Sequence, residues 1–377
     1  MDAGSVIEAG RPLRIRVRRA SEEDTDAVLA FSRTTFDGWD YLPGVWASWL
    51  EARDGAVFVA EPVEPGEAAG DRNGRPIAVG RVALLSPAEA WMEGLRVDPA
   101  VRGRGVATAF QVAELTWAQA QGAAVVRYAT GETNEASLRL GARHGFAPAG
   151  RWRALRPQEP EGSAAHATAP QAAPSAEEAT PATRRTILSN LAAAGLVRGA
   201  GEAGRRWDRL AGDATFRRGR GLYEWRAWAW QALSREGLER HLERGDLLEV
   251  ETAEGWALGL LGHERVAGET RLVLLGGDAE SARRLVDAVA QAAGRRPLIR
   301  LPDESLLLDG LGPALESAGW RIAEHVLVLM ARPLADEAGR PLSLPDDGTD
   351  RVEFAEAPRP LGLVPEDEPE PLPAAGR

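Results

Sequence analysis

VDPAVRGRGVATAF, residues 97–110, sets Arg102-Gly103-Arg104-Gly105 between two apolar stretches. The preceding AWMEGLRV reads as a strand, and the following ATAFQVAELTWAQAQG as an amphipathic helix ending at Gly122. The first amides of a helix have no intrahelical partners and sit at the positive end of its dipole. Glycines let the backbone approach an anion with no Cβ in the way, and arginine forks add donors for phosphate oxygens. The composite is a pyrophosphate cradle. It is no Walker loop, because GxxxxGK(S/T) is absent, and GRGVATA supplies no third glycine for a dinucleotide fingerprint. A second run, RRGRGLY at 217–223, follows no clear strand and opens no clear helix, and reads as a solvated loop.

Outward from the loop, strands and helices alternate, which points to a mixed α/β sheet. LRIRVRR (13–19) reads as a strand, and SEEDTDAVLAFSRTTF as a helix N-capped by Ser21. VWASWLEARDG reads as a second helix closing at Gly55, followed by strands in AVFVAEP and GRPIAVGRVALLS. Beyond the loop helix come a strand, AAVVRYAT, and a short helix, NEASLRLGARHG. The same order recurs between 183 and 333: SWLEARDGAVFVAEP is echoed by GLERHLERGDLLEVET, and SLRLGARHGF by GPALESAGWR. An internal duplication accounts for this. The expected organisation is a domain at 12–155, an Ala/Pro/Glu-rich linker at 156–182, a second domain at 183–333 and a Pro-rich acidic tail at 334–377, docked through Val352, Phe354 and Leu361.

Composition narrows the function. The 377 residues suit two domains of about 150 residues. A net charge of −11 argues against nucleic-acid partners, which need basic patches. All 45 basic residues are arginine, as codon usage in a GC-rich genome would produce. The absence of cysteine excludes disulfides, thiolate metal sites and a Cys acyl-enzyme. The N-terminus lacks a signal-peptide core, and no apolar run approaches the ~18 residues of a membrane span. A cytoplasmic protein with no membrane partner is expected.

EGLRVDPAVRGRGVATAF resembles the acetyl-CoA-binding motif of the GCN5-related N-acetyltransferase (GNAT) family, Q/R-x-x-G-x-G/A, with Arg102, Gly105 and Ala107 in the three places. NEASLRLGARHGF is similar to that family's second motif, with Asn134, Ser137, Gly145 and Phe146 in register. The resemblance covers about residues 13–155. It implies the GNAT fold, a mixed central sheet flanked by helices, the fourth and fifth strands splaying to admit pantetheine. The second region resembles another such domain that has lost its cofactor loop, so two tandem GNAT-like domains are expected. The resemblance of the first region also implies acetyl-CoA as co-substrate, with no metal. The amides of Arg102, Gly103, Arg104, Gly105, Val106 and Ala107 would hold the pyrophosphate. Backbone groups of Leu95 and Val97 would pair with pantetheine, and Asn134 and Ser137 would reach the cofactor from the next strand's end.

The implied reaction is direct attack of an amine on the thioester within a ternary complex. Glu93, alternating onto the same side of its strand as Leu95 and Val97, is the candidate base. Where many relatives carry an acidic tyrosine this chain has Gly141, leaving His144, Tyr128 and Glu132 as candidate acids. Phe36, Trp39, Tyr41, Trp46 and Trp49, with Asp37 and Asp40, could wall a site for a small amine acceptor. In the second domain GGDAESARRL stands where the cradle would be: Gly276 and Gly277 remain, but Asp278 and Glu280 oppose an anion. A non-catalytic buttress is expected there, and a monomer. The alternatives are a protein N-terminal or side-chain acetyltransferase, and a non-catalytic acyl-CoA-binding sensor or scaffold.

Overall fold

The computed structural model describes residues 12–33, 35, 40–63, 74–158, 181–199, 201–226, 228–262, 269–344, 349–359 and 361. Phe36, Asp37 and Trp39, nearly all of the expected linker at 156–182 and the end of the expected tail lie outside the described residues. The first half contains β1 (Ile15–Arg19), α1 (Thr25–Ser32), α2 (Leu42–Glu51), β2 (Gly55–Pro62), β3 (Ala78–Ser86) and β4 (Glu89–Val97). It continues with α3 (Val106–Ala120), β5 (Val125–Gly131), α4 (Glu135–Arg143) and β6 (Ala147–Pro157). Next come α5 (Pro181–Ala193), α6 (Ala203–Gly212), α7 (Ala214–Arg218), β7 (Leu222–Arg226), β8 (Ala229–Ala232) and α8 (Arg235–Arg244). They lead into β9 (Leu247–Glu251), β10 (Trp256–Leu261), β11 (Arg271–Gly277), α9 (Ala279–Ala293) and β12 (Leu298–Pro302). The last are α10 (Leu306–Ser317), β13 (Trp320–Ile322), β14 (Leu327–Pro333) and β15 (Val352–Phe354).

Local sequence accounts for most boundaries, with three corrections. Ser21 and Asp24 form a capping box around a single tight turn, Glu22–Asp24, and α1 starts only at Thr25. Gly55 does not close α2. The helix ends at Glu51, and Gly55 opens β2, where a Cβ would collide with the Val82 carbonyl of the paired strand. The 217–223 run ends α7 and leads into β7, and Gly219 is buried against Trp152 and Pro302 rather than solvated.

One sheet runs through the molecule in the order β15-β1-β2-β3-β4-β5-β14-β6-β12-β11-β10-β9, with β13 also on β6. In the first half β2, β3 and β4 are antiparallel, β4 and β5 parallel, and β5 antiparallel to β14. In the second half β9, β10 and β11 are antiparallel, β11 and β12 parallel, and β12 antiparallel to β6. The pattern repeats, but each half takes its final strand from the other: β14 closes onto β5, and β6 onto β12. Helix α3 packs with Tyr128, Phe146 and Met330 on one face, and α1 and α2 pack with Val57, Val59 and Val79 on the other. The antiparallel β7–β8 pair lays Trp230 beside Trp91 and Trp152 over the sheet centre. A buried aromatic removes ~150–250 Å² from water, an upper bound of roughly 4–6 kcal/mol each, so this cluster ties the second half firmly to the first.

Candidate functional site

Strands β4 and β5 pair only through Glu89/Val125, Ala90/Val126 and Trp91/Arg127. Each then runs on without the other, to Val97 and Gly131, so the sheet opens between them. The expected splay is present. Partway along β4 the register to β3 slips between Glu93 and Arg96, a bulge that carries Gly94 at φ +74°. Glu93 and Gly94 both face α2, whereas Leu95 and Val97 pack with the α3 core. The expectation that Glu93 shares a side with Leu95 and Val97 is therefore corrected. A lone glycine in a strand was the available signal.

The loop after β4 is built by local rules. Asp98 accepts from the Ala100 amide at 2.9 Å and caps a tight turn over Pro99–Val101, which hands the chain to Arg102. Gly103 (φ +76°) faces open space, and Gly105 (φ +74°) is the N-cap of α3, whose first turn carries no acid. Val106 is buried in the core and anchors the helix start, and Ala107 follows it. Arg102 is exposed, whereas the Arg104 side chain is buried and its carbonyl accepts from the Leu13 amide at 3.0 Å. Backbone amides at a helix start, without Cβ atoms over them and flanked by guanidinium groups, can hold a phosphate anion.

Across the opening, Asn134 N-caps α4, its Oδ1 accepting from the Ser137 amide at 3.2 Å, so its amide group is what it could offer a ligand. Tyr128 on β5 explains Gly141. A Cβ at 141 would collide with the Tyr128 hydroxyl, which donates to the Ser137 carbonyl at 3.0 Å. The phenol thus stands where residue 141 would project, and burial pushes its pKa up to about 12. His144 is elsewhere. It is wholly buried, with Nδ1 against the Gln111 Oε1 and its carbonyl accepting from Arg332. Glu132 pairs with Arg151 at 2.7 Å near the surface.

On the α2 face, Glu93 belongs to a four-membered network. Arg81 bonds both Glu93 and Asp54, and Arg226, from β7 of the second half, reaches Asp54 at 2.5 Å and Glu93 at 3.7 Å. Nothing in the sequence marked Arg226, because its partners lie more than 130 positions away. Among the described residues of the expected aromatic wall, the rings are already occupied by the protein's own groups. Arg96 lies 5.1 Å from the Tyr41 ring and 2.8 Å from Asp40, and Arg81 lies 5.6 Å from Trp49. Trp46 is core, donating to Thr25 Oγ1 at 2.9 Å.

The second half has the same opening, closed. β11 and β12 pair only at Arg271/Leu298 and Leu272/Ile299, and α7 packs against both strands. A cavity of only about 10 Å³ is left among Thr215, Phe216, Leu274, Arg300 and Pro302. Asp278 itself occupies the N-terminus of α9, accepting from the Ser281 amide at 2.9 Å and the Trp256 amide at 2.7 Å. Burial raises its pKa, but these bonds outweigh it and hold the carboxyl below its ordinary value. Gly277 is kept because a Cβ would strike the Trp256 carbonyl. Among the described residues no group of three potential metal ligands occurs, and no helix is long and apolar enough to cross a membrane.

Residues 30–146 match the model of a family described as Acetyltransferase (GNAT) family. The chain is 37% identical over 89 residues to histidine N-acetyltransferase from Oreochromis niloticus, 23% of each chain. It is 39% identical over 93 residues to probable N-acetyltransferase 16 from Homo sapiens, 24% of this chain and 22% of that one. It thus spans less than a quarter of the length of these curated relatives. Among solved structures, a putative acetyltransferase from Thermoplasma acidophilum aligns over 84% of this chain and 99% of its own at 16% identity, TM-score 0.46. A GCN5-related N-acetyltransferase from Kribbella flavida aligns over 85% and 71% at 17% identity, TM-score 0.39.

Proposed function

We propose, from the match of residues 30–146 to the acetyltransferase (GNAT) family model, that the protein moves an acetyl group from acetyl-CoA to a primary amine of a small, amino-acid-like acceptor. The observation that carries this reading is the opening between β4 and β5 beside a glycine–arginine loop at the start of α3. Acetyl-CoA supplies the activated thioester. The amides of residues 102–107 hold its pyrophosphate, Leu95 and Val97 pair through their backbone with pantetheine, and Asn134 and Ser137 border the arm. Tyr128 is the acid for the departing thiolate, and its raised pKa keeps it protonated through the neutral range. Glu93, held by two guanidinium groups, takes the amine's proton through water rather than by direct contact. His144, sealed in the core, has no part in the chemistry. The relative named histidine N-acetyltransferase makes histidine the first acceptor to try. In this reading residues 12–155 are catalytic and 183–333 a degenerate counterpart that supplies Arg226 and the tryptophan wall.

Calorimetric titration with acetyl-CoA tests the reading, followed by CoA release with histidine and an amine panel. One site per chain, lost in Gly105→Glu, and CoA release with an amine are expected. No binding would overturn the acetyltransferase reading, and two sites would overturn the degenerate second half.

A further inference from the structure

We propose that Arg351, delivered by the C-terminal segment, is a phosphate ligand of the loop at 102–107, so that the tail completes the acetyl-CoA site. This rests on the acetyl-CoA reading above. Arg351 immediately precedes β15, whose Val352–Phe354 pair in parallel with Ile15–Val17 of β1. That register is fixed by the Arg16–Glu353 ion pair at 3.2 Å and by the Ala355 amide donating to the Val17 carbonyl at 3.0 Å. The chain just before β1 is in turn tied to the loop, since the Leu13 amide donates to the Arg104 carbonyl. Tail, first strand and loop are therefore one unit, and its geometry puts the Arg351 guanidinium against Gly105. A Cβ at Gly105 would collide with Nη1, and the side chain is only 18% exposed.

The electrostatics make this placement informative. The Arg351 guanidinium stands at the positive end of the α3 dipole, beside the loop that carries Arg102 and Arg104, and the first turn of α3 holds no acid. The neighbouring Asp350 carboxylate lies 3.8 Å from Arg351 Nε and is 84% exposed, so solvent screens most of its attraction. Cations at that helix end repel each other and the dipole alike. A doubly charged pyrophosphate there attracts each of these groups and the helix end, and so offsets their mutual repulsion. The tail lies some 250 positions from the loop, so no local motif announces it.

The test titrates the full-length protein, Arg351→Ala and Arg351→Gln with acetyl-CoA and with S-acetylpantetheine, which lacks the pyrophosphate and nucleotide. Both variants are expected to bind acetyl-CoA about tenfold more weakly, the worth of a charge-assisted hydrogen bond, and to bind S-acetylpantetheine as the parent does. Unliganded melting midpoints matching the parent would report that the tail still docks. Variants that bind acetyl-CoA equally well or more tightly overturn the inference, because the guanidinium would then be idle or obstructive. An equal loss for both ligands overturns it too, by showing general damage. A parent protein that binds no acetyl-CoA removes instead the reading on which the inference rests.

Discussion

Glu114 stands in the third turn of α3, fully buried, its carboxylate oxygens without a hydrogen-bond partner among the described residues and one of them 2.5 Å from where a Cβ on Gly80 would lie. Burial alone pushes its pKa well above the ordinary value, so the folded chain carries it as the neutral acid. Below the unfolded pKa of about 4.5 this is harmless, since both states are protonated. Above it folding must take up a proton, and stability falls as pH rises toward the folded pKa. Glu114→Leu is therefore expected to be more stable than the parent by about 1–3 kcal/mol at pH 8, the gap closing as pH approaches 4.5. Urea midpoints at several pH values check this, and a pH-independent gap would show that the carboxyl is not protonated on folding. Tyr128 makes the matching functional case. Tyr128→Phe is expected to lower kcat at least tenfold while leaving acetyl-CoA affinity within twofold, and an unchanged kcat would remove it as the acid. Tyr128 was one of the candidates the sequence offered because Gly141 left an acid missing, and its proposed role rests on its hydroxyl standing where residue 141 would project. His144 was misleading because an imidazole at a helix end looks the same whether Gln111 and Arg332 bury it or solvent reaches it.

Elements carried the clearest sequence signal, and their irregularities the poorest. The strand, loop and helix around residue 102 follow from apolar period and turn chemistry, and each expected strand of the first half is present. What alternation alone could not deliver was the face of Glu93, because a single inserted residue at Gly94 reverses every position beyond it. That bulge is itself testable. At φ +74° a side chain is strained, and a Cβ at 94 would lie 2.5 Å from the Trp49 ring. Left-handed backbone costs about 1–2 kcal/mol and overpacking a further 1–3, so Gly94→Ala is expected to lose roughly 2–5 kcal/mol by denaturant midpoint. A loss under 1 kcal/mol would mean that β4 slides to absorb the methyl group. The same substitution displaces Trp49 from Arg81, so the network holding Glu93 should loosen, visible as a KM rise for the amine at unchanged acetyl-CoA affinity.

At the scale of the whole molecule, the exchange of β6 and β14 decides what can fold alone. The repeated order of strands and helices was readable in sequence, but the pairing of β5 with β14 was not, because their registers join residues some 200 positions apart. Removing the second half would strip β5 of its partner along Val125–Gly131 and expose the row of backbone groups that β14 covers. It would also uncover Trp91 and Trp152 by removing Trp230, and leave Asp54 and Glu93 without Arg226. An apolar, unpaired edge with several kcal/mol of lost burial is a template for aggregation rather than a stable domain. Residues 1–158 expressed alone are therefore expected to be insoluble or oligomeric by size-exclusion chromatography. Co-expression with residues 181–377 should give a soluble one-to-one complex, because each fragment then supplies the other's closing strand. A monomeric 1–158 fragment with a cooperative unfolding transition would show that β5 tolerates solvent and that the exchange is dispensable. Because Arg226 enters the Glu93 network from the second half and Arg351 reaches the loop from the tail, even such a fragment should bind acetyl-CoA more weakly and turn over amines more slowly than the intact chain.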